Sequence, residues 1–189
     1  MGSERQPTSS VSARAKQIKL MLFDVDGVLT NGRVYIHVDG SESKSFGIRD
    51  GIAMIWAQRA GVKIGLLSAR SSATTPHRAA QLGITLVYHG VTSKLATYER
   101  ILADLALRDE EVAYMGDDIV DLGVLSRVGL SSAPADAVEE VRARVHWVSA
   151  LKAGDGAARE LIELVLRSQG IWDGIVNTYL DEVPVASKT

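Results

Sequence analysis

Aspartates concentrate at the ends of two short apolar runs of this sequence, at 18–23 and 111–115. They are Asp24, Asp26, Asp117, Asp118 and Asp121. Carboxylates gathered in one crevice repel one another and have raised pKa values unless a cation lies among them. Oxygen ligands with no His or Cys nearby suit a hard divalent ion, Mg²⁺ above all. The spacing therefore predicts a magnesium site held by Asp24, Asp26 and Asp117.

Mg²⁺ usually completes its coordination with a phosphate oxygen, so the predicted substrate is a phosphorylated molecule. Phosphoryl transfer through an enzyme carboxylate needs a fixed nucleophile and a second acid that protonates the leaving group. Asp24, at a strand tip, fits the first role, and Asp26 fits the second. Gly27 lets the backbone turn and approach the phosphate. Ser68 and Lys94 are predicted to bind the phosphoryl oxygens, where charge gathers in the transition state.

Two further aspartates are predicted to support the nucleophile, the metal ligands and the lysine. Asp121 would orient metal-bound water or Lys94. Asp118 is either a second metal contact or the N-cap of the helix that follows it.

Buried strands that alternate with helices must position these side chains. This pattern predicts an α/β fold with an open, doubly wound parallel sheet, in which chemistry lies beyond the carboxyl ends of the strands. Asp39-Gly40 is a hairpin turn signal and predicts a two-stranded flap near 33–47, with Val34, Ile36 and Val38 on one face. The predicted strands are 18–23, 62–67, 84–88, 111–115, 128–131 and 145–148. The predicted helices include 52–61, one capped by Thr75 with Pro76 at its first position, 93–107, 135–143 and 156–169.

The composition narrows the class of protein. The chain has 189 residues, 46% of them hydrophobic and 23% charged, which suits one globular domain. A net charge of −2 gives no reason to expect nucleic acid or an anionic membrane as a partner. The absence of cysteine fits a reducing compartment, and no signal sequence is recognisable, so we expect a cytoplasmic protein.

These motifs resemble those of the haloacid dehalogenase superfamily of phosphatases. The pattern DxDG[VT]LT is matched by residues 24–30, and the superfamily's Ser/Thr and Lys motifs by Ser68 and Lys94. The acidic GDxxxD is matched from Gly116 through Asp117 to Asp121. The resemblance implies a Rossmann-like core and an aspartyl-phosphate intermediate. Because the superfamily pattern makes Asp117 the metal ligand, we favour the N-cap role for Asp118.

A narrower resemblance covers about 18–170. The stretches DVDGVLTNGRVYI, FGIRDGIAM, YMGDDIVDL and GDGAARELIELVLRSQG look like the 3-deoxy-D-manno-octulosonate 8-phosphate (KDO 8-phosphate) phosphatases and their nonulosonate 9-phosphate relatives. That family lacks a large cap domain and forms homotetramers, with the flap and a neighbouring subunit closing the site. The resemblance implies a sugar-acid phosphate as substrate.

Substrate-binding positions are predicted partly from this resemblance. Ser68-Ala69-Arg70 stands where the octulosonate enzymes commonly read Thr-Gly-Arg, and Ser retains the hydroxyl. Arg49 and Arg70 would bind a carboxylate or phosphate bidentately, with Gly27 and Ala69 beside them. The alternative for the two arginines is a surface role, or an ion pair with Asp50.

Segments outside 17–170 are predicted to be a flexible N-terminal stretch (1–16) and a tail (171–189). Trp56 and Trp147 are predicted to lie in the core, whereas Trp172 and Tyr179 are predicted to pack on another subunit.

Competing hypotheses for the whole chain are a signalling receiver and a non-catalytic assembly domain. In receivers the acceptor Asp follows the third strand and the Lys comes last, which is not the order in this chain.

Overall fold

The structure is a computed structural model that describes residues 9–181, and eight strands form its framework. The strands are β1 (Leu20–Phe23), β2 (Tyr35–Ile36), β3 (Glu42–Ser43), β4 (Lys63–Ser68), β5 (Leu86–His89), β6 (Val112–Met115), β7 (Leu130–Ala133) and β8 (Trp147–Val148). Six of them make one parallel sheet in the order β5-β4-β1-β6-β7-β8. The predicted open parallel α/β sheet is confirmed.

Helices cover both faces of this sheet. They are α1 (Ser9–Ala15), α2 (Ile48–Arg59), α3 (Thr74–Gln81), α4 (Lys94–Leu105), α5 (Leu122–Leu125), α6 (Glu139–Arg142), α7 (Ala157–Ser168) and α8 (Trp172–Leu180). Short 3₁₀ turns span Asp109–Glu111 and Ile119–Asp121. One apolar cluster lies under α1, α2 and α7, and the other under α4, α5 and α6. Such a doubly wound arrangement buries both faces of every central strand.

β1 is the strand at the centre of the arrangement. All four of its residues are buried, because it lies between β4 and β6 and beneath helices on both sides. Phe23, its last residue, is in register with Leu66 of β4 and Met115 of β6. The carboxyl ends of these three strands therefore meet at one edge, where residues that follow them come together.

The predicted flap is confirmed as a two-stranded antiparallel hairpin of β2 and β3. At its turn, the Gly40 amide donates to His37 O at 2.9 Å and the Asp39 carboxylate accepts from the Ser41 amide. Ile36 and Val38, predicted on one face of the hairpin, are exposed. Between residue 30 and β4 the chain forms this hairpin and α2, so the predicted absence of a large cap agrees with the structure.

Several local predictions differ from the structure. Thr75 is not the N-cap of α3, because the helix begins at Thr74, two residues before the predicted first position at Pro76, and Ala73 is the N-cap. The helix predicted over 135–143 is shorter, and the strand predicted at 128–131 lies two residues later. The helix predicted from residue 52 begins at Ile48.

The ends of the described chain are more ordered than the sequence predicted. α1 lies in the segment predicted to be flexible, and it packs Val11 and Ala15 against α7. Trp172 is buried within its own chain, with its ring 5.6 Å from that of Trp56 in an edge-on contact, rather than exposed for another subunit. The boundaries at residues 17 and 170 stay predictions, and residues 1–8 and 182–189 lie outside the described part.

No helix within residues 9–181 has the length and apolar character needed to cross a bilayer.

Candidate active site

The loop after β1 is held in shape by a threonine of its own motif. Thr30 is fully buried, and its hydroxyl oxygen accepts hydrogen bonds from the amides of Gly27 (3.4 Å) and Gly32 (3.3 Å). The same hydroxyl donates to Val25 O at 3.4 Å. These contacts close the loop on itself, so that Asp24 and Asp26 leave a rigid turn.

Asp24 emerges at the tip of β1 beside a buried lysine. Lys94 Nζ lies 2.9 Å from Asp24 Oδ1 and 2.6 Å from Asp121 Oδ1. All three side chains are almost completely buried. The Ser93 hydroxyl caps α4 by accepting from the Ala96 amide, which fixes the start of the helix that carries Lys94. The ammonium is thus positioned to bind anionic oxygens that approach Asp24.

Asp121 is saturated with donors. Its Oδ1 accepts from Lys94 and from the hydroxyl of Tyr114, whereas its Oδ2 accepts from the amides of Asp117 (3.1 Å) and Asp118 (3.3 Å). The carboxylate therefore fixes both the lysine and the loop after β6. Losing one partner of such a buried charged group costs about 3–5 kcal/mol in comparable proteins.

Asp117 lies directly against the glycine of the first loop. Gly27 has φ +93°, and a Cβ atom added there would stand 2.0 Å from Asp117 Oδ2. Glycine is required at this position both for its backbone conformation and for the room that Asp117 occupies. The close approach of the two loops brings the Asp117 carboxylate towards Asp24.

These carboxylates fit a divalent cation. Asp24, Asp117 and Asp121 each place an oxygen within 4.8 Å of the others. Asp117 Oδ1 is buried and has no hydrogen-bond partner among the residues described, which is costly unless something else binds it. Oxygen ligands of this kind suit Mg²⁺. The third carboxylate of the group, Asp121, already accepts four hydrogen bonds. Asp26, which the sequence predicted for the metal, is not in this group, and that role stays a prediction.

The electrostatics of these carboxylates agree with a cation site. Burial, followed by repulsion from Asp24 and Asp121, raises the pKa of Asp117 to about 8. Burial raises the pKa of Asp24 to about 6, although Lys94 acts in the opposite direction. Burial alone would lower the pKa of Lys94, but Asp24 and Asp121 raise it, so the lysine stays protonated. A cation bound among the carboxylates would favour their ionised forms.

Asp26 faces the flap instead. The Lys44 ammonium, one residue beyond β3, lies 2.8 Å from Asp26 Oδ1 and donates to Oδ2 at 2.9 Å. The two aspartates of the DxD motif therefore have different cationic partners, Lys94 for Asp24 and Lys44 for Asp26. Lys44 was not recognised in the sequence, because nothing in a hairpin pattern indicates which loop its side chains will meet.

The loop after β4 brings the remaining polar groups to the same edge. Ser68 is buried at the end of β4, and its hydroxyl is held by the backbone N–H and C=O of Arg70, each at 3.3 Å. Arg70 pairs with Glu42 of the flap at 2.5 Å, and the Ser72 hydroxyl donates to the same carboxylate. Arg70 thus anchors the flap in this structure, and Ala69 is exposed beside it.

Two predicted residues lie at the margin of the site. Asp118 is the N-cap of the 3₁₀ turn, where its Oδ1 accepts from the Ile119 amide at 2.7 Å. Arg49 is exposed next to a cleft lined by Leu151, Asp155 and other residues of the α7 region. The ion pair considered between Arg49 and Asp50 is not formed. Asp50 instead accepts from two backbone amides at the start of α7.

Tyr114 is a second residue that the sequence analysis missed. It is fully buried in β6, and its hydroxyl donates to Asp121 and lies 3.4 Å from Lys94 Nζ. In the sequence it is one member of an apolar strand. Nothing in the sequence indicates that its hydroxyl reaches the carboxylates.

Comparisons with known proteins agree with this geometry. Residues 81–161 match the family model of haloacid dehalogenase-like hydrolases. The KDO 8-phosphate phosphatase KdsC of Escherichia coli (strain B / BL21-DE3) is 39% identical over 166 residues, which are 88% of this chain and 88% of that protein.

Solved structures show the same likeness. A probable YrbI family phosphatase from Pseudomonas syringae superposes with a TM-score of 0.90 at 42% identity, covering 92% of this chain and 99% of that one. The KDO 8-phosphate phosphatase of Moraxella catarrhalis was solved in complex with a magnesium ion, a phosphate ion and KDO. It superposes with a TM-score of 0.89 at 31% identity, and the match covers 91% of this chain and 99% of that one. The chain therefore belongs to the haloacid dehalogenase-like hydrolases, and within them to the KDO 8-phosphate phosphatase family of phosphoric monoester hydrolases.

Proposed function

We propose that this protein hydrolyses KDO 8-phosphate in a Mg²⁺-dependent reaction that passes through a phosphorylated Asp24. The observation that carries the proposal is the arrangement of Asp24, whose carboxylate lies beside Lys94 and within a group of carboxylates that fits a divalent ion. The relatives named for KDO 8-phosphate, one of them bound to KDO, support the choice of substrate.

In the first step an oxygen of Asp24 attacks phosphorus, and the bond between phosphorus and the sugar oxygen breaks. Asp26, in its protonated form, gives its proton to that leaving oxygen. Lys94 and the Ser68 hydroxyl bind phosphoryl oxygens as charge accumulates on them. Mg²⁺, held by Asp24 and Asp117, would reduce the repulsion between the nucleophile and the phosphate.

In the second step water attacks the phosphorus of the aspartyl-phosphate, and Asp26 takes the proton of that water. The bond between Asp24 and phosphorus breaks, which releases inorganic phosphate and restores both carboxyl groups. Lys94 remains protonated throughout, since the carboxylates around it raise its pKa.

The experiment is Asp24→Asn, compared with Asp104→Asn, an exposed carboxylate of α4. We expect no turnover of KDO 8-phosphate by Asp24→Asn and full turnover by Asp104→Asn, with both variants folded by circular dichroism. Mass spectrometry after acid quench should find phosphate on the peptide that contains Asp24 in the wild type. Wild-type activity in Asp24→Asn would disprove the mechanism.

The substrate is tested separately with a panel of KDO 8-phosphate, nonulosonate 9-phosphates and hexose phosphates. We expect the highest kcat/KM for KDO 8-phosphate. A preference for a nonulosonate 9-phosphate would retain the chemistry and change the substrate, whereas no hydrolysis of any ester with Mg²⁺ would favour a non-catalytic assembly domain.

We also propose that the chain acts as a homotetramer in the cytoplasm. The family resemblance supports the tetramer, as do the exposed apolar side chains of the flap, Tyr35, Ile36 and Val38. The cysteine-free composition suits a reducing compartment. Analytical ultracentrifugation that found a monomer would refute the tetramer without affecting the chemistry.

A further inference from the structure

The side chain of Lys44 is buried, although most residues of the neighbouring hairpin are exposed. Its relative exposure is 0%, while Tyr35 and Ile36 of the same hairpin are 59% and 67% exposed. Lysine is almost never fully buried without a partner, because removing an ammonium from water is costly. The partner here is Asp26, with both oxygens within 2.9 Å of Lys44 Nζ.

A second carboxylate connects this pair to the loop after β4. Glu42 Oε1 lies 3.9 Å from Lys44 Nζ, and Glu42 is held in turn by Arg70 and Ser72. The flap is thereby joined by charged contacts to the loop that carries Asp26 and to the loop that follows Ser68. Lys44 occupies the centre of this connection.

The two oxygens of Asp26 differ in their hydrogen bonding. Lys44 donates to Oδ2, whereas Oδ1 is close to the ammonium but has no hydrogen-bond partner among the described residues. Because the ammonium lies within 2.9 Å of both oxygens, the carboxyl group cannot rotate freely. Proton transfer by a carboxyl group requires the exchanging atoms to be held within hydrogen-bond reach.

We propose that Lys44 is a positioning residue for Asp26: it holds the carboxyl group in one orientation at the end of the loop after β1, where the group meets the leaving oxygen. This inference rests on the proposed function, in which Asp26 is the general acid. Lys44 acts through Asp26 and contributes nothing to the attack by Asp24, which has its own lysine.

The dependence of the rate on the leaving group tests this role. The sugar hydroxyl of KDO 8-phosphate needs a proton as it departs, whereas the nitrophenolate of p-nitrophenyl phosphate leaves without one. Because Asp26 is also the base of the second step, which both substrates share, the rate to compare is that of the first step, measured as release of the leaving group in a single turnover. We expect Lys44→Met to lower this rate on KDO 8-phosphate by about 100-fold and on p-nitrophenyl phosphate by less than about 10-fold. Lys44→Arg, which retains the cation, should restore most of the first rate.

Lys63→Met is the matched control, because Lys63 is exposed at the opposite end of β4 from Ser68 and should leave both rates unchanged. Equal losses on both substrates in Lys44→Met would show that the lysine only supports the fold, and would overturn the proposal. Should Lys44→Met fail to fold, Lys44→Gln serves for the same comparison. Turnover by Asp24→Asn would instead refute the proposed function itself, so the two failures are distinguishable.

Discussion

Replacing Gly27 by alanine is expected to disable the metal site while the sheet remains folded. The added Cβ atom would stand 2.0 Å from Asp117 Oδ2 and 2.5 Å from Asp117 Cγ. A Cβ atom does not tolerate heavy atoms closer than 3.0 Å, so Asp117 Oδ2 would have to retreat by about 1 Å. A displacement of about 1 Å in a catalytic group can lower the rate about 100-fold.

The same substitution also has a backbone cost, which must be separated from this clash. Gly27 has φ +93°, and an L-residue in the left-handed region costs about 1–2 kcal/mol. Gly61 has φ +88° and nothing within 4 Å of an added Cβ atom. Gly61→Ala is therefore the matched control, since it introduces the backbone cost without moving a carboxylate.

The assay is thermal unfolding over a magnesium titration, together with kcat at saturating Mg²⁺. A ligand that binds only the native state raises the melting temperature, and the rise grows with the logarithm of the ratio of ligand concentration to Kd. We expect Gly61→Ala to start from a lower melting temperature, respond to Mg²⁺ like the wild type and keep its kcat. Gly27→Ala should lose the response to Mg²⁺ and about 100-fold in kcat. Wild-type values of both in Gly27→Ala would refute the assignment of Asp117 to the metal.

Two further predictions concern the buried polar groups. Without divalent ions, stability should fall as pH rises from about 4 to about 8, because native Asp117, with its pKa raised to about 8, keeps a proton that the unfolded chain has released. Thermal unfolding in EDTA measures this pH dependence, and added Mg²⁺ should abolish it. A pH profile of stability identical to that of Asp117→Asn would contradict the prediction. Tyr114→Phe should cost about 1–3 kcal/mol in urea unfolding and lower kcat, because Asp121 loses a buried donor. Tyr98→Phe, which removes a buried hydroxyl that donates to Asp109, should lose stability without losing activity.

The placement of Asp24, Ser68 and Asp117 could be predicted from the sequence for a topological reason. Each follows an apolar run short enough to be a buried strand, and the carboxyl ends of parallel strands meet at one edge. That rule needs only strand identity and direction, not exact boundaries. The strand predicted from residue 18 begins at Leu20, yet its end, which positions Asp24, is correct.

Lys44 and Tyr114 could not be predicted in the same way, because their roles depend on side-chain direction and on contacts between distant segments. The hairpin was recognisable from its turn, but its orientation over the sheet is set by Arg70 and Ser72 binding Glu42. Tyr114 lies in an apolar strand and reads as an ordinary core residue. Only the tertiary structure shows that its hydroxyl reaches Asp121.

Tertiary contacts also explain why a helix forms before β1, in a segment predicted to be flexible. The segment before β1 is rich in Ser and Arg, so local composition predicts flexibility. α1 is nevertheless formed, because Val11 and Ala15 pack on α7 and the Gln169 side chain donates to Ala15 O. A short helix of this kind gains its stability from tertiary packing rather than from propensity.

The charged residues of the site fall into two groups. This division distinguishes the role of Asp24 from that of Asp26, which the DxD pattern alone does not. Asp24, Asp117 and Asp121 face the single ammonium of Lys94, so two negative charges remain when all are ionised, which is the deficit that one Mg²⁺ neutralises. Asp26 is outside this group and is paired with Lys44, with no net charge. Two carboxyl groups only two residues apart thus lie in different electrostatic environments. In the proposed reaction, Lys94 and a bound Mg²⁺ would keep Asp24 ionised for its attack on phosphorus, whereas Asp26 lies outside that group and is held by Lys44 on the side of the flap.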